Sequence, residues 1–289
     1  MEDNIFSLYE DLKNKKYKHG KYTHFVFYDN KKRDIHKAEV RDRVVHQIIF
    51  DYLGNMFEPT FINDSYSSMN KRGSHRAVKT FRYFSNIEKY KNNNIFILKC
   101  DIKKYFGSID QSVLLGLVKK RVKVGSILSV IKEIIESFKK ECGKGKGIPL
   151  GNITSQIFAN IYLNNLDHFV KSRLKQRFYI RYNDDFVLIS KNKKRMEFCL
   201  EKIRIFISKL LLDLPTNKTS IRKLRWGIDF LGFSILSNCI LLRNKTKQKV
   251  FEKVNKSNFQ SYFAILRHCN SYRLKNKLTH ISNSFSENL

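Results

Sequence analysis

The sequence predicts an α+β chain built on a small antiparallel sheet, and three observations carry that expectation. A short apolar run, Ile95 to Cys100, leads into Asp101. Two further runs, Phe178 to Arg181 and Phe186 to Ile189, flank Asn183-Asp184-Asp185. Amphipathic helical spacing lies between and after them, so strand, helix, hairpin, helix and strand follow one another as in a split βαβ layer. The first run is bounded by Lys91-Asn92-Asn93-Asn94 and is rich in β-branched and aromatic residues, which fits a buried strand with Asp101 at its C-terminal end. Asn and Asp suit a tight turn, so the hairpin carries acids at its tip.

The helices follow from periodicity. From His36 to Met56, apolar residues at Val40, Val44, Ile48, Ile49, Tyr52, Leu53 and Met56 predict an amphipathic helix whose other face carries Arg41 and Arg43, ended by Glu58-Pro59. Ile127, Val130, Ile131, Ile134, Ile135 and Phe138 predict a second helix, stopped by Gly143-Lys144-Gly145-Lys146-Gly147. A third, from Ser155 to Lys171, is apolar on most sides until Leu166 and is expected to be buried. A helix from Met196 to Leu211 and a strand pair between Phe230 and Leu242 complete the layer. Phe259, Tyr262, Phe263 and Leu266 keep helical spacing beyond it.

Charge narrows the function. Against 26 Asp plus Glu the chain carries 56 Lys plus Arg, a net +30 over 289 residues, and that balance calls for a polyanion. Ser237 to Leu289 is the most one-sided part and is a candidate duplex-gripping element. With 42% hydrophobic residues and 3 prolines the chain has the composition of a folded protein, not a disordered one. The five cysteines, Cys100, Cys142, Cys199, Cys239 and Cys269, form no C-x-x-C pair, which argues against a zinc site or a disulfide framework. The acidic start, Met1-Glu2-Asp3-Asn4, is unlike a signal peptide, and no apolar run approaches a membrane span, so a cytoplasmic location is expected.

Acids at the end of one strand and at the tip of a neighbouring hairpin can converge on one sheet edge. Hard cations prefer such oxygens, and two magnesium ions ~3.5–4 Å apart activate a 3′-hydroxyl and stabilise a leaving pyrophosphate. On spacing alone an ordinary hairpin turn accounts for Asn183-Asp184-Asp185, and the flanking sequence decides between the two readings.

Tyr182-Asn183-Asp184-Asp185-Phe186 is similar to the Tyr-x-Asp-Asp box of reverse transcriptases. Asp101-Ile102-Lys103-Lys104-Tyr105-Phe106, with Ile109-Asp110, resembles their first acidic motif. Further blocks extend the resemblance from Arg33 to Tyr272: Arg41 to Gln47, Ser65-Tyr66 through Ala77, Gly147 to Gln156 leading into Phe158 to Leu163, and Gly227 to Phe233. The resemblance implies a right-hand polymerase with fingers over 1–94, a palm over 95–236 and a small basic helical thumb over 237–289. It implies catalytic Asp101, Asp184 and Asp185, with two Mg2+ ions (Mn2+ as a substitute) held by these residues and Ile102. Nucleotide contacts are implied for Lys71, Arg72, Tyr105, Phe106, Gly151, Gln156 and Lys218, with Phe106 as a gate against a ribose 2′-hydroxyl and Lys218 near the triphosphate. Template and primer contacts are implied for Arg41, Arg43, Tyr182, Asn183, Gly232 and His268. One departure is Met69, which stands where the family commonly has an Arg, so Lys71 or Arg72 would have to supply that contact.

Ser155-Gln156, together with His268 to Arg273, most resembles the reverse transcriptases of diversity-generating retroelements, whereas group II intron enzymes usually carry Gln-Gly near the former position. That kinship implies a bacterial, archaeal or phage-encoded enzyme that copies a structured template RNA, holds an RNA–DNA hybrid and works with a small basic ring-forming accessory protein. It also implies error-prone synthesis opposite template adenines. Retron-, group II intron- and antiphage-type enzymes share the chemistry. A different class, an idle RNA-binding scaffold, has no need of three carboxylates that repel phosphate when no cation is bound.

Overall fold

The computed structural model describes residues 2–28, 32–89, 94–142 and 145–284. Lys91 to Asn93, Gly143-Lys144 and residues 285–289, used above as a strand boundary, a helix stop and the end of the basic segment, lie outside the described residues. The chain opens with α1 (Glu2–Lys13), the hairpin β1 (Tyr22–Tyr28) and β2 (Lys32–Ala38), then α2 (Val40–Phe57) and α3 (Ser74–Lys89). Next come β3 (Phe96–Asp101), α4 (Tyr105–Ser108), α5 (Gln111–Lys119), α6 (Gly125–Cys142) and α7 (Ile153–His168). The hairpin β4 (Tyr179–Tyr182) and β5 (Asp185–Ser190), α8 (Lys193–Lys209) and β6 (Ser220–Lys223) close the central unit. Beyond it lie β7 (Ile228–Phe230), β8 (Phe233–Ile235), β9 (Ile240–Leu242), α9 (Asn244–Lys253), α10 (Phe259–Leu266) and α11 (Tyr272–Ser284).

The central sheet has the order β4-β5-β3-β6, every neighbour antiparallel. Alternation along its strands divides the protein's apolar interior in two. Leu98, Cys100, Phe186 and Leu188 point into a core shared with α5, α6, α7 and α8. Ile97, Val187 and Ile189 point into a second core shared with α3, β7, β8 and the C-terminal helices. Both faces of β3 and β5 are therefore largely covered, while the edge strand β6 stays partly exposed along its length.

Three expectations are corrected. The predicted helix from His36 begins only at Val40, because His36 to Ala38 pair with β1 in a hairpin. Within α2 the buried stripe is Asp42, Val45, His46, Ile49, Leu53 and Phe57, whereas Val40, Val44 and Ile48 are exposed. The face is rotated because two polar residues are accepted inside, each with partners. Finally, the layer is closed by β6, whose Ser-Ile-Arg-Lys sequence lacks an apolar alternation, and residues 228–242 form a separate three-stranded sheet rather than its last strands.

The polar stripe of α2 anchors the N-terminal part to the rest. The Tyr17 hydroxyl donates to Asp42 Oδ1 at 2.8 Å, and the Gly20 amide to Asp42 Oδ2 at 3.0 Å. His19 Nε2 lies 2.9 Å from His46 Nε2, and His46 Nδ1 lies 2.6 Å from Thr154 Oγ1 at the start of α7. Beside it, Asn152 accepts from the Ala38 amide and donates to the His36 carbonyl, latching β2 to the same helix end. Burial, and then the adjacent His19 ring, lower His46 to about 4.

The folded state thus holds His46 neutral where the unfolded chain, near 6.5, takes up a proton. Stability from this residue is complete above pH 6.5 and falls as pH drops towards 4, by at most about 3 kcal/mol. Urea midpoints between pH 7.5 and 4.5 should show this slope, and a folded His46→Gln variant should flatten it.

Candidate active site

The register of the central sheet sets Asp101 directly opposite Asp185. Tyr182 pairs with Asp185 across the β4–β5 hairpin, so only Asn183 and Asp184 form the tip. Asn183 takes a left-handed φ of +52°, which Asn tolerates better than most side chains. The Ile102 amide donates to the Asp184 carbonyl at 3.2 Å, sewing the tip to the end of β3. Two acids from different segments and a third at the turn therefore meet at one edge of the sheet.

What holds the tip is a fully buried ion pair. Arg181 donates through Nε and Nη2 to the two oxygens of Asp167 at 2.8 and 2.7 Å, and both side chains are wholly inaccessible. Its Nη1 reaches Asn160 Oδ1 and the Asn183 carbonyl, each at 3.2 Å. The Tyr179 hydroxyl donates to Asp167 Oδ1 at 2.7 Å. The backbone of Arg181 also bonds to Asp64 and Tyr66, which adds the loop before α3 to the sheet's outer edge.

The acids face cations already present in the chain. Lys218 Nζ donates to Asp101 Oδ1 at 2.7 Å, and Lys99 Nζ stands 3.3 Å from Asp185 Oδ2. Burial lifts Asp185 to about 6, Lys99 opposing the shift and Asp101 and Asp184 adding to it. Asp185 Oδ1 is buried with no hydrogen-bond partner. Among the described residues no group of three His, Cys, Asp or Glu side chains is arranged to hold a metal ion, two of the acids being turned to lysines instead. The donor set nevertheless fits a hard divalent cation: carboxylate oxygens on one edge, one of them unsatisfied.

The other expected site residues divide. Tyr182, Asn183 and Lys218 lie at this edge, and Asn183 Oδ1 is also buried without a partner. Gln156 is exposed on an otherwise buried stretch of α7, while Ser155 is spent on the Pro149 carbonyl. Phe106 is half-buried, edge-on to Tyr105. Tyr105 is in the core, its hydroxyl bonded to the Ala159 carbonyl at 2.6 Å, and Arg72 Nη1 is spent on the carbonyls of Ile62 and Ser65. Lys71 is exposed and Met69 packs against the core. Gly151, at φ +111°, abuts β2, where a Cβ would come 2.7 Å from Ile35 Cγ2. Gly232, at φ +87°, accepts the Arg243 amide. Arg41 pairs with Asp11 of α1, Arg43 is exposed, and His268 stacks on His75 with ring centroids 3.9 Å apart. Sequence reasoning missed Lys99, Asn160, Asp167 and Arg181. A signal was present for Lys99, Asn160 and Arg181, each a charged or amide group between apolar or aromatic neighbours, whereas Asp167 lies in the polar stretch Asn164 to His168 and carried none.

The sheet order, the acid-bearing hairpin and the covered faces define the fold of a right-hand polymerase. Among solved structures, apo telomerase from Candida tropicalis, truncated of its C-terminal domain, is similar to this fold with a TM-score of 0.59 at 15% identity, covering 83% of this chain and 60% of that one. The chain belongs to the reverse transcriptase (RNA-dependent DNA polymerase) family, which matches residues 15–235. Protein YkfC of Escherichia coli is 24% identical over 245 residues, 72% of this chain and 64% of that protein. The group II intron-encoded protein LtrA of Lactococcus lactis is 24% identical over 262 residues, 67% of this chain and 43% of that protein. The chain thus spans less than two thirds of either relative's length.

Removing one member of the buried pair leaves the other charge stranded. Asp167→Ala should lower unfolding stability by about 3–5 kcal/mol. An Asp167→Leu, Arg181→Met double variant should recover much of that loss in chemical denaturation, though the hairpin tip loses its tether.

Proposed function

We propose that the protein is an RNA-directed DNA polymerase that adds deoxynucleotides at the edge formed by Asp101, Asp184 and Asp185. The observation that carries this reading is the cross-strand pairing of Asp101 with Asp185 beside the unsatisfied Asp185 Oδ1, in a chain of net charge +30. Asp101, Asp185 and the Ile102 carbonyl, with Asp184, would hold two Mg2+ ions, which when bound supply charge neutralisation and activation of the primer hydroxyl. Lys218, 2.7 Å from Asp101, would give a proton to the leaving pyrophosphate once it turns from that carboxylate. Phe106 would crowd a ribose 2′-hydroxyl, Gln156 would face the templating pocket, and the triphosphate would be met by exposed Lys71 or by Arg72, whose Nη1 is held by backbone carbonyls.

Residues 1–94, 95–236 and 237–289 serve in this reading as fingers, palm and thumb around an RNA–DNA hybrid. Ser155-Gln156 favours the diversity-generating type, with its template RNA and basic ring-forming accessory protein, in a bacterial, archaeal or phage-derived cytoplasm. The curated relative LtrA favours a group II intron-type enzyme. No helix among the described residues is long and apolar enough to cross a membrane.

Primer extension on a mixed-sequence RNA, with Mg2+ and four deoxynucleotides, tests the proposal. Asp184→Asn and Asp185→Asn should each cut DNA synthesis by at least about a hundredfold while RNA affinity stays level or rises. Undiminished synthesis in both variants would remove these residues from catalysis. Errors concentrated opposite template adenine would support the diversity-generating type, and uniform errors an ordinary or defence-type enzyme.

A further inference from the structure

Asp101, Asp185 and Lys99 share one face of the central sheet, because Lys99 lies two residues before Asp101 on β3 and Asp185 sits opposite Asp101. That face looks towards β7, and Lys99 reaches it. Its ammonium donates to the Asp229 carbonyl at 2.6 Å, stands 3.3 Å from Asp185 Oδ2 and lies 5.9 Å from the Phe230 ring centroid. The side chain is only 24% exposed, so its charge is little screened by solvent. Asp229 is in turn held by the Ser234 hydroxyl and by Arg243 Nε at 2.7 Å, and Arg243 leads directly into α9. One ammonium therefore connects a site acid to the strand that precedes Gly232 and, through Asp229, to the first C-terminal helix.

We infer that Lys99 is a positioning residue that orients the Asp185 carboxylate, occupies its Oδ2 in competition with divalent cations, and fixes β7 against the acid edge. The inference rests on the two-cation reading of that edge. Two consequences of opposite sign follow. With its charge close to Asp185, Lys99 weakens divalent binding through repulsion and through occupation of an oxygen. By holding Asp185 and β7 together it speeds the reaction, since small displacements of reacting groups are costly.

The test combines Mn2+ binding, read from the electron paramagnetic resonance signal of free Mn2+, with primer extension, on the full chain. Lys99→Met and Lys99→Gln should bind Mn2+ at least about threefold more tightly. Both should extend primers about tenfold or more slowly at saturating Mn2+. Lys99→Arg, which keeps the charge, should retain the wild-type Mn2+ affinity, and thermal melts select variants that remain folded. A structural role alone would slow extension without tightening Mn2+ binding, so unchanged or weaker affinity in a folded uncharged variant overturns the inference. Tighter binding with undiminished extension overturns its positioning half. Wild-type protein binding no more Mn2+ than an Asp101→Asn, Asp185→Asn variant overturns the two-cation reading itself, and the inference with it.

Discussion

The site depends first on a charge pair that never meets water. Arg181 and Asp167 are both wholly buried, and taking two such ions out of water costs several kcal/mol each before their attraction is counted. The geometry offsets that cost: a fork of two N–H groups meets both carboxylate oxygens, and Tyr179 and Asn160 occupy further positions around the pair. An apolar substitute of the same volume could fill the space but could not donate to the Asn183 carbonyl. The pair thus turns packing into aim, fixing where the hairpin tip points and with it Asp184 and Asp185.

Around that anchor the central sheet has the opposite character at its edge and in its middle. Its middle is apolar on both faces, Leu98 and Leu188 towards one core and Ile97 and Val187 towards the other. Its edge gathers acids whose mutual repulsion is contained by Lys99 and Lys218. The raised Asp185 reflects that compromise, since its burial favours the neutral form and a single ammonium does not wholly restore the charged one.

Much of this was legible in the sequence. The acid-ended strand, the hairpin and the buried α7 follow from apolar runs and turn residues that local physics reads directly. The β1–β2 hairpin and the rotated face of α2 were not, because Asp42 and His46 look like surface residues until Tyr17, His19 and Thr154, from distant segments, satisfy them. β6 escaped for a related reason: Ser220 to Lys223 is held as a strand by its pairing with β3 and not by its own composition. In the site, the three acids announced themselves by their setting. Lys99 and Arg181 hid among hydrophobic neighbours, and Tyr105 and Arg72, expected at the nucleotide, are bonded to backbone carbonyls that no local pattern reveals.

Helix α7 joins these observations. Its 16 residues span about 24 Å, and it is enclosed along nearly its whole length. Asn152 and Thr154 at one end hold the N-terminal hairpin and α2, Gln156 emerges one turn later, and Asp167 near the other end grips Arg181. A rod so confined has no room to bow or slide by small amounts, because close-packed interiors yield in discrete steps or not at all. The N-terminal hairpin and the acid turn are therefore held by opposite ends of one largely buried helix.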